Sequence, residues 1–218
     1  MKKRSLQKGC VGVCLLAAFV LWTIAVRQID VQPIGPNDSQ VGLATLNGWF
    51  HRFTGVHLSL YVLTDWLGLV PFFAAFGFAV FGLVQWIKRK KLWKVDYSIL
   101  VLGGFYLLVM GAYLFFEVCV VNYRPILIDG FLEASYPSST TMLVTCVMPT
   151  AIMQLRPRIK TASFRRAVTV AIAAFVAFMV IGRLISGVHW LSDIIGGLLI
   201  SGGLVMTYSC VADMELKK

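Results

Sequence analysis

Four short stretches of this sequence carry groups suited to work on a phosphorus atom. They are Arg124-Pro125, the run Tyr136-Pro137-Ser138-Ser139-Thr140-Thr141, Arg183, and His189 followed by Asp193. An arginine presents a planar fork of donors that matches phosphate oxygens. Serine hydroxyls and the free N–H groups at a helix start add further donors and a positive partial charge. His189 and Asp193 are four residues apart, so on a helix they share one face. Asp193 can then accept a hydrogen bond from one imidazole nitrogen and fix the tautomer, which leaves the other nitrogen free to attack phosphorus. This is the orienting logic of the serine triad applied to a histidine nucleophile. Two guanidinium groups would carry the charge stabilisation, so the expectation is a site with no metal and no cofactor.

Each piece also has an ordinary explanation. A His–Asp pair at helical spacing is often a structural hydrogen bond, Arg-Pro is a common helix exit, and Pro-Ser-Ser-Thr is a common helix cap. Their joint placement is what separates the two readings, and that depends on the elements between them.

Those elements read as membrane helices. The chain has 218 residues, of which 58% are hydrophobic and 14% charged, and a mean hydropathy of +0.79. A soluble domain carries about 25% charged residues, so disorder, a collagen-like repeat and an ordinary soluble globule are excluded. The net charge of +10 does not point to nucleic acid, because the basic residues sit in short clusters between apolar spans. A membrane helix needs about 20 mostly apolar residues. The spans expected are Cys10–Val26, a stretch near Trp66–Ile87, Tyr97–Val121, Thr141–Leu155, Ala167–Ser186 and Trp190–Val211. Within His57–Ile87, Gly68 and Pro71 mark a bend. Val41–Phe53 has apolar residues at helical spacing and reads as a short interfacial helix in the first outer loop. The fold class is therefore all-α: a six-transmembrane-helix bundle forming one domain over residues 1–218. The basic stretch Met1–Lys8 before the first helix also suits a signal peptide, but no small-x-small cleavage site follows, so the helix is read as retained.

Charge sets the orientation. Lys2, Lys3, Arg4 and Lys8; Lys88, Arg89, Lys90, Lys91 and Lys94; Arg156, Arg158, Lys160, Arg165 and Arg166; and Lys217 and Lys218 hold sixteen of the twenty Lys and Arg, all at one end of the bundle. The positive-inside rule puts that end and both termini in the cytoplasm. Arg124, Ser138, Arg183, His189 and Asp193 then gather at the outer boundary, from three different helix corners. Ionisable residues there are costly and mark function.

The order Arg124-Pro125, Pro137-Ser138, Arg183-x5-His189-x3-Asp193 resembles the three-part signature of the type-2 phosphatidic acid phosphatase superfamily. The resemblance covers about residues 97–211, and its third part is the most specific. It implies a six-helix membrane phosphatase acting on lipid phosphates or diphosphates. His189 would form a phosphohistidine with Asp193 as its orienter. Arg124, Ser138, Ser139, Thr140 and Arg183 would hold the phosphate. The partners implied are the lipid substrate and the surrounding membrane lipids.

Three positions depart from the family pattern. Glu117 stands where the family has Lys, Thr140 stands at the histidine of Pro-Ser-Gly-His, and Gly182 replaces the Ser before the second Arg. The leaving-group acid is thus absent. An alkoxide needs that proton, and general acid catalysis is worth about 10²–10⁴-fold. The phosphate monoester that leaves a diphosphate is already a stable anion, so isoprenyl diphosphate is the favoured substrate. Glu117 reads as a salt bridge to Arg124 or Arg183, as a buried protonated carboxyl replacing the acid, or as a contact to a cationic head group. The function expected is a bacterial cell-membrane lipid phosphatase with an extracytoplasmic site. The alternatives are a pseudophosphatase that binds lipid phosphate, and a lipid-to-lipid phosphotransferase.

Other residues carry less. Cys10, Cys14, Cys119, Cys146 and Cys210 lack CxxC spacing and read as small buried hydrophobes, with no disulfide and no zinc site. His51 and His57 read as surface residues flanking the interfacial helix, with substrate gating as the lesser reading. Asp65 reads as a cap opening the second span. Gly196, Gly197, Gly202 and Gly203 suit close helix packing. Trp22, Trp49, Trp66 and Trp190 suit an interfacial belt.

Overall fold

The computed structural model describes residues 2–214, with side chains from Ser5 to Asp213. Lys217 and Lys218 lie outside the described residues, as do the side chains of Lys2, Lys3 and Arg4. Among the described residues eight α-helices follow one another: α1 Lys2–Gln28, α2 Ala44–Thr54, α3 Leu58–Leu67, α4 Leu69–Arg89, α5 Tyr97–Val118, α6 Ser139–Leu155, α7 Ala162–Ile185 and α8 Leu191–Met214. The chain is 76% helical, with no strand among the described residues.

Five stretches are long and apolar enough to cross a membrane: Ser5–Gln28, Leu58–Arg89, Tyr97–Val118, Ala162–Ile185 and Leu191–Asp213. The expected sixth, α6, has 17 residues. At about 1.5 Å per residue it spans about 26 Å, just under the hydrocarbon thickness. The expected bend falls at Gly68, where α3 ends and α4 begins, and Pro71 sits in the first turn of α4, where its missing N–H costs little. Large apolar side chains such as Trp66, Phe73, Phe76, Leu107 and Val118 face outward. A soluble protein would bury most of this surface, whereas a lipid environment leaves it exposed at no cost.

The core is organised around α8. Some 56% of its apolar window is buried, against 11–22% for the other four spans. Its small residues explain why. A Cβ at Gly203 would stand 2.7 Å from Leu16, and one at Gly12 would stand 2.7 Å from Thr207 Oγ1. Helices α1 and α8 therefore approach backbone to backbone. Polar pairs close both ends of this seam: Lys8 to Asp213 at 2.6 Å, and Trp22 Nε1 donating to the Ser192 carbonyl at 3.1 Å.

At the end away from His189, Asp96 ties the two basic connections together. It lies 2.9 Å from Arg89 and 3.8 Å from Arg158, and it accepts from Gln85 Nε2 at 2.8 Å. Several minor expectations need correction. Among the cysteines only Cys146 is buried; Cys10 and Cys14 are exposed on α1, and Cys119 is exposed just past the end of α5. Trp190 is 3% exposed and donates to the Tyr123 carbonyl at 2.7 Å, so it does not belong to a surface belt. Asp65 sits in the last turn of α3 and opens no span.

Candidate active site

Arg124 lies beyond α5, in a connection that doubles back on itself. Asp129 and Gly130 take positive φ values of 49° and 82°, the geometry of a two-residue Asp-Gly hairpin turn. The arms are pinned by three backbone bonds: Phe131 N–H to the Ile128 carbonyl at 2.8 Å, Arg124 N–H to the Glu133 carbonyl at 3.1 Å, and Ser135 N–H to the Asn122 carbonyl at 2.9 Å. This folding carries Arg124 back over the bundle and delivers Ser135 beside His189.

His189 stands just before α8 and is 3% exposed. The direct bond to Asp193 expected from the sequence does not form: Nδ1 and Oδ2 are 3.8 Å apart. The helix has not yet begun at His189, so helical spacing does not apply. Ser135 fills the gap. Its hydroxyl donates to Asp193 Oδ2 and lies 3.0 Å from His189 Nδ1. With its own hydrogen committed to the carboxylate, Ser135 Oγ can only accept, so Nδ1 carries the proton and Nε2 keeps its lone pair. Nε2 faces Arg183 Nη2 at 3.4 Å. Asp193 also accepts the Trp190 N–H at 2.9 Å, which closes the first turn of α8 as a capping-box acid does.

The two arginines frame this imidazole. Arg183, in the last turn of α7, is 1% exposed, and Arg124 is 8% exposed. Both guanidinium groups stand over the Tyr61 ring, at 5.0 and 5.9 Å from its centroid. Their pairing is incomplete. Arg124 Nε lies 3.0 Å from Glu133 Oε2, and Arg183 Nη1 lies 3.6 Å from Asp65 Oδ1. Neither contact has hydrogen-bond alignment, and Arg124 Nη1, Arg183 Nε, Ser138 Oγ and Thr141 Oγ1 are buried without a partner. Ser138 is the N-cap of α6, yet its side chain makes no capping bond. Leaving buried charged donors unsatisfied costs several kcal/mol. A cluster of them beside the free end of a helix is an oxyanion cradle. Burial, reinforced by the charges of Arg124 and Arg183, pushes the His189 imidazole well below the ordinary histidine range. The ring is therefore neutral at neutral pH, with Nε2 unprotonated.

The other expected site residues divide. Ser139 and Thr140 open α6 and line a cavity of about 210 Å³ together with Asp65, Gly68 and Tyr113. Glu117 is exposed and, among the described residues, takes part in no ion pair. The expected bridge to Arg124 or Arg183 is thus absent, because Glu133 and Asp65 hold those places. The burial that a neutral carboxyl would require is absent too. His51 is half-buried rather than a plain surface residue. Its Nε2 lies 3.1 Å from the Gly187 carbonyl and its ring packs on Trp190. His57 is exposed.

Three contributors escaped the sequence reading. Ser135 was found only through the hairpin, for which Asp129-Gly130 was the available signal. Asp65 reaches the site because Gly182 lets α3 approach: a Cβ there would stand 2.8 Å from Thr64. Asn47 of α2 is fully buried and braces α8, donating to Ser192 Oγ at 2.9 Å and accepting the Ser192 N–H at 3.0 Å.

A family model, the PAP2 superfamily, matches residues 114–216, which contain this whole constellation apart from Asp65, Tyr61 and Asn47. That stretch of the chain is similar to the PAP2 superfamily. A crystal structure described as the first transmembrane PAP2-type phosphatidylglycerolphosphate phosphatase, from Bacillus subtilis, superposes with a TM-score of 0.60. The alignment covers 95% of this chain and 98% of that one at 19% identity, so the two share a fold. No curated protein matches the chain. The PAP2 fold and the long apolar helices together make this an integral membrane protein.

Proposed function

We propose that this single-domain PAP2 protein is a lipid phosphatase that hydrolyses a lipid diphosphate or lipid phosphate through a phosphohistidine on His189, with isoprenyl diphosphate as the favoured substrate. The observation that carries the reading is the pairing at one imidazole. Nδ1 is held by the Ser135–Asp193 relay, while Nε2 points at Arg183 among buried donors that have no partner. A phosphoryl group seated on Arg124, Arg183, Ser138 and the first N–H groups of α6 meets Nε2 directly. The Nε2–P bond forms as the P–O bond to the leaving group breaks. The guanidinium groups carry the charge that develops on the equatorial oxygens.

Thr140 bears on the substrate. It offers no titratable proton at the position of the family histidine, which favours leaving groups that depart as anions. A lipid monophosphate leaving a diphosphate is such a group. Ser139 and Thr140 lie where the lipid-proximal phosphate would sit, and exposed Glu117 suits a head-group contact better than an acid.

In the bilayer, α1, α3 with α4, α5, α6, α7 and α8 make six passes, and α2 lies in the interface plane with Trp49 and Phe53 toward lipid. The basic connections face the cytoplasm of a bacterial cell membrane, and the site opens on the extracytoplasmic side. The test is phosphate release from a panel of lipid mono- and diphosphates by purified protein. Turnover faster on isoprenyl diphosphate than on phosphatidic acid, and abolished by His189→Ala, is the expected result. An active His189→Ala protein refutes the mechanism. No turnover on any lipid, with retained phospholipid binding, marks a pseudophosphatase. Transfer to an acceptor lipid in excess of release to water marks a phosphotransferase.

A further inference from the structure

A phosphohistidine must be discharged by water, and that water needs a base. Thr140 cannot serve, because an alkyl hydroxyl holds its proton at neutral pH. The cavity that Thr140 lines contains one carboxylate, Asp65. Three observations single it out. It stands 3.6 Å from Arg183 Nη1, while Nη2 of the same guanidinium is 3.4 Å from the His189 nucleophile. A phosphoryl group on Arg183 is thus reached by His189 from one nitrogen and by Asp65 from the other. The Asp65 side chain is 59% exposed, against 1% for Arg183, and it lines the cavity, so it can pass a proton to water held there. The α3–α7 contact that brings Asp65 here depends on Gly182, where any side chain would meet Thr64 at 2.8 Å. The other nearby carboxylates are placed differently: Glu133 pairs with Arg124 rather than Arg183, and Glu117 lines an adjoining recess that shares Tyr113, Ser139 and Met142 with this cavity.

We propose that Asp65 is the general base of the second half-reaction, replacing a function that Thr140 cannot perform. This rests on the phosphohistidine reading above. A water molecule in the cavity attacks phosphorus opposite the Nε2–P bond, and Asp65 takes one of its protons. The Nε2–P bond breaks, its electron pair returns to Nε2, and inorganic phosphate leaves. Asp65 then gives its proton to water in the cavity. The first half-reaction, which needs no base beyond His189 itself, does not involve Asp65.

The two halves separate in a rapid-quench experiment on purified full-length protein with farnesyl diphosphate labelled in its terminal phosphate. Asp65→Asn is expected to keep a burst of one farnesyl monophosphate per enzyme. Steady-state phosphate release should fall about 10²-fold or more, the scale of general-base catalysis, with acid-labile, alkali-stable label accumulating on the protein. Asp65→Glu keeps a base in reach and is expected to turn over within about tenfold of wild type with no such label. If Asp65 only positions Arg183, Asp65→Asn loses burst and steady state together and no label builds up; that result overturns the proposal, as does wild-type turnover by Asp65→Asn. A wild-type protein that releases phosphate steadily while Asp65→Asn fails in either way leaves the phosphatase reading standing and removes only Asp65. Absence of phosphate release and label in wild type and variants alike removes both.

Discussion

Replacing Gly196 with alanine puts a methyl group 2.7 Å from Cε2 of Tyr136 and 2.8 Å from its Cζ and Oη. Carbon atoms rest about 3.5–4.0 Å apart, so the ring must retreat by about 1 Å. It has no room to do so. Tyr136 is 1% exposed, its ring lies against Phe19 and Phe116, and its hydroxyl is 2.7 Å from Thr23 Oγ1. The displacement therefore passes along the chain to Pro137 and Ser138, whose N–H donates to the Asp193 carbonyl at 3.1 Å. Overpacking of this kind costs about 1–3 kcal/mol of stability. A misplacement of about 1 Å in a reacting geometry costs about 10²-fold in rate. The expected outcome for Gly196→Ala is a folded protein with a slightly lowered Tm and kcat/KM on a lipid diphosphate reduced about 10²-fold. Gly111→Ala is the control: a Cβ there meets nothing within 4 Å, so its rate should match wild type. A Gly196→Ala protein as fast as the Gly111→Ala control would refute the claim that this contact sets the position of Ser138.

Three further outcomes follow from the site. Burial and the two arginines keep His189 neutral well below pH 6.5, and protonation would occupy Nε2, so the rate should fall only as pH drops through that depressed value; an acid limb of the wild-type pH–rate profile at or above 6.5 contradicts this. Ser135→Ala removes the relay to Asp193 and frees the imidazole to turn; a buried hydrogen-bond loss of about 1–3 kcal/mol predicts kcat lower by about 10- to 100-fold with KM little changed, and an unaffected kcat would show that the relay is idle. Asn47→Ala strips Ser192 of two buried hydrogen bonds and should lower stability by about 1–3 kcal/mol, read as a lower Tm in detergent; an unchanged Tm would mean that α2 does not brace α8.

The membrane helices were readable because lipid imposes length and apolarity directly on sequence, and the break at Gly68 was readable because a span that long needs one. Helix ends were less so: α1, α7 and α8 extend past their apolar cores, since charged residues continue a helix at the interface without penalty. Arg183, His189 and Asp193 converge as their spacing suggested. Their connection differs because His189 precedes the first turn of α8, where a four-residue spacing no longer stacks side chains. Ser135 and Asp65 were invisible for a related reason. They reach the site through tertiary contacts, one by a hairpin and the other by the notch at Gly182, and neither leaves a periodic trace. Glu117 misled because it shares a sequence register with Arg124, but α5 ends at Val118 and the intervening chain leaves the helix.

The glycine seam joins α1 and α8 across the whole of the sequence that lies between them. Until α8 is threaded into the bilayer beside α1, the grooves cut by Gly9 and Gly12 have nothing to receive, and His189 has no scaffold. The latch is thus set only when α8 arrives: a chain cut short before α8 is expected to yield unlatched helices rather than a weakened form of the same bundle.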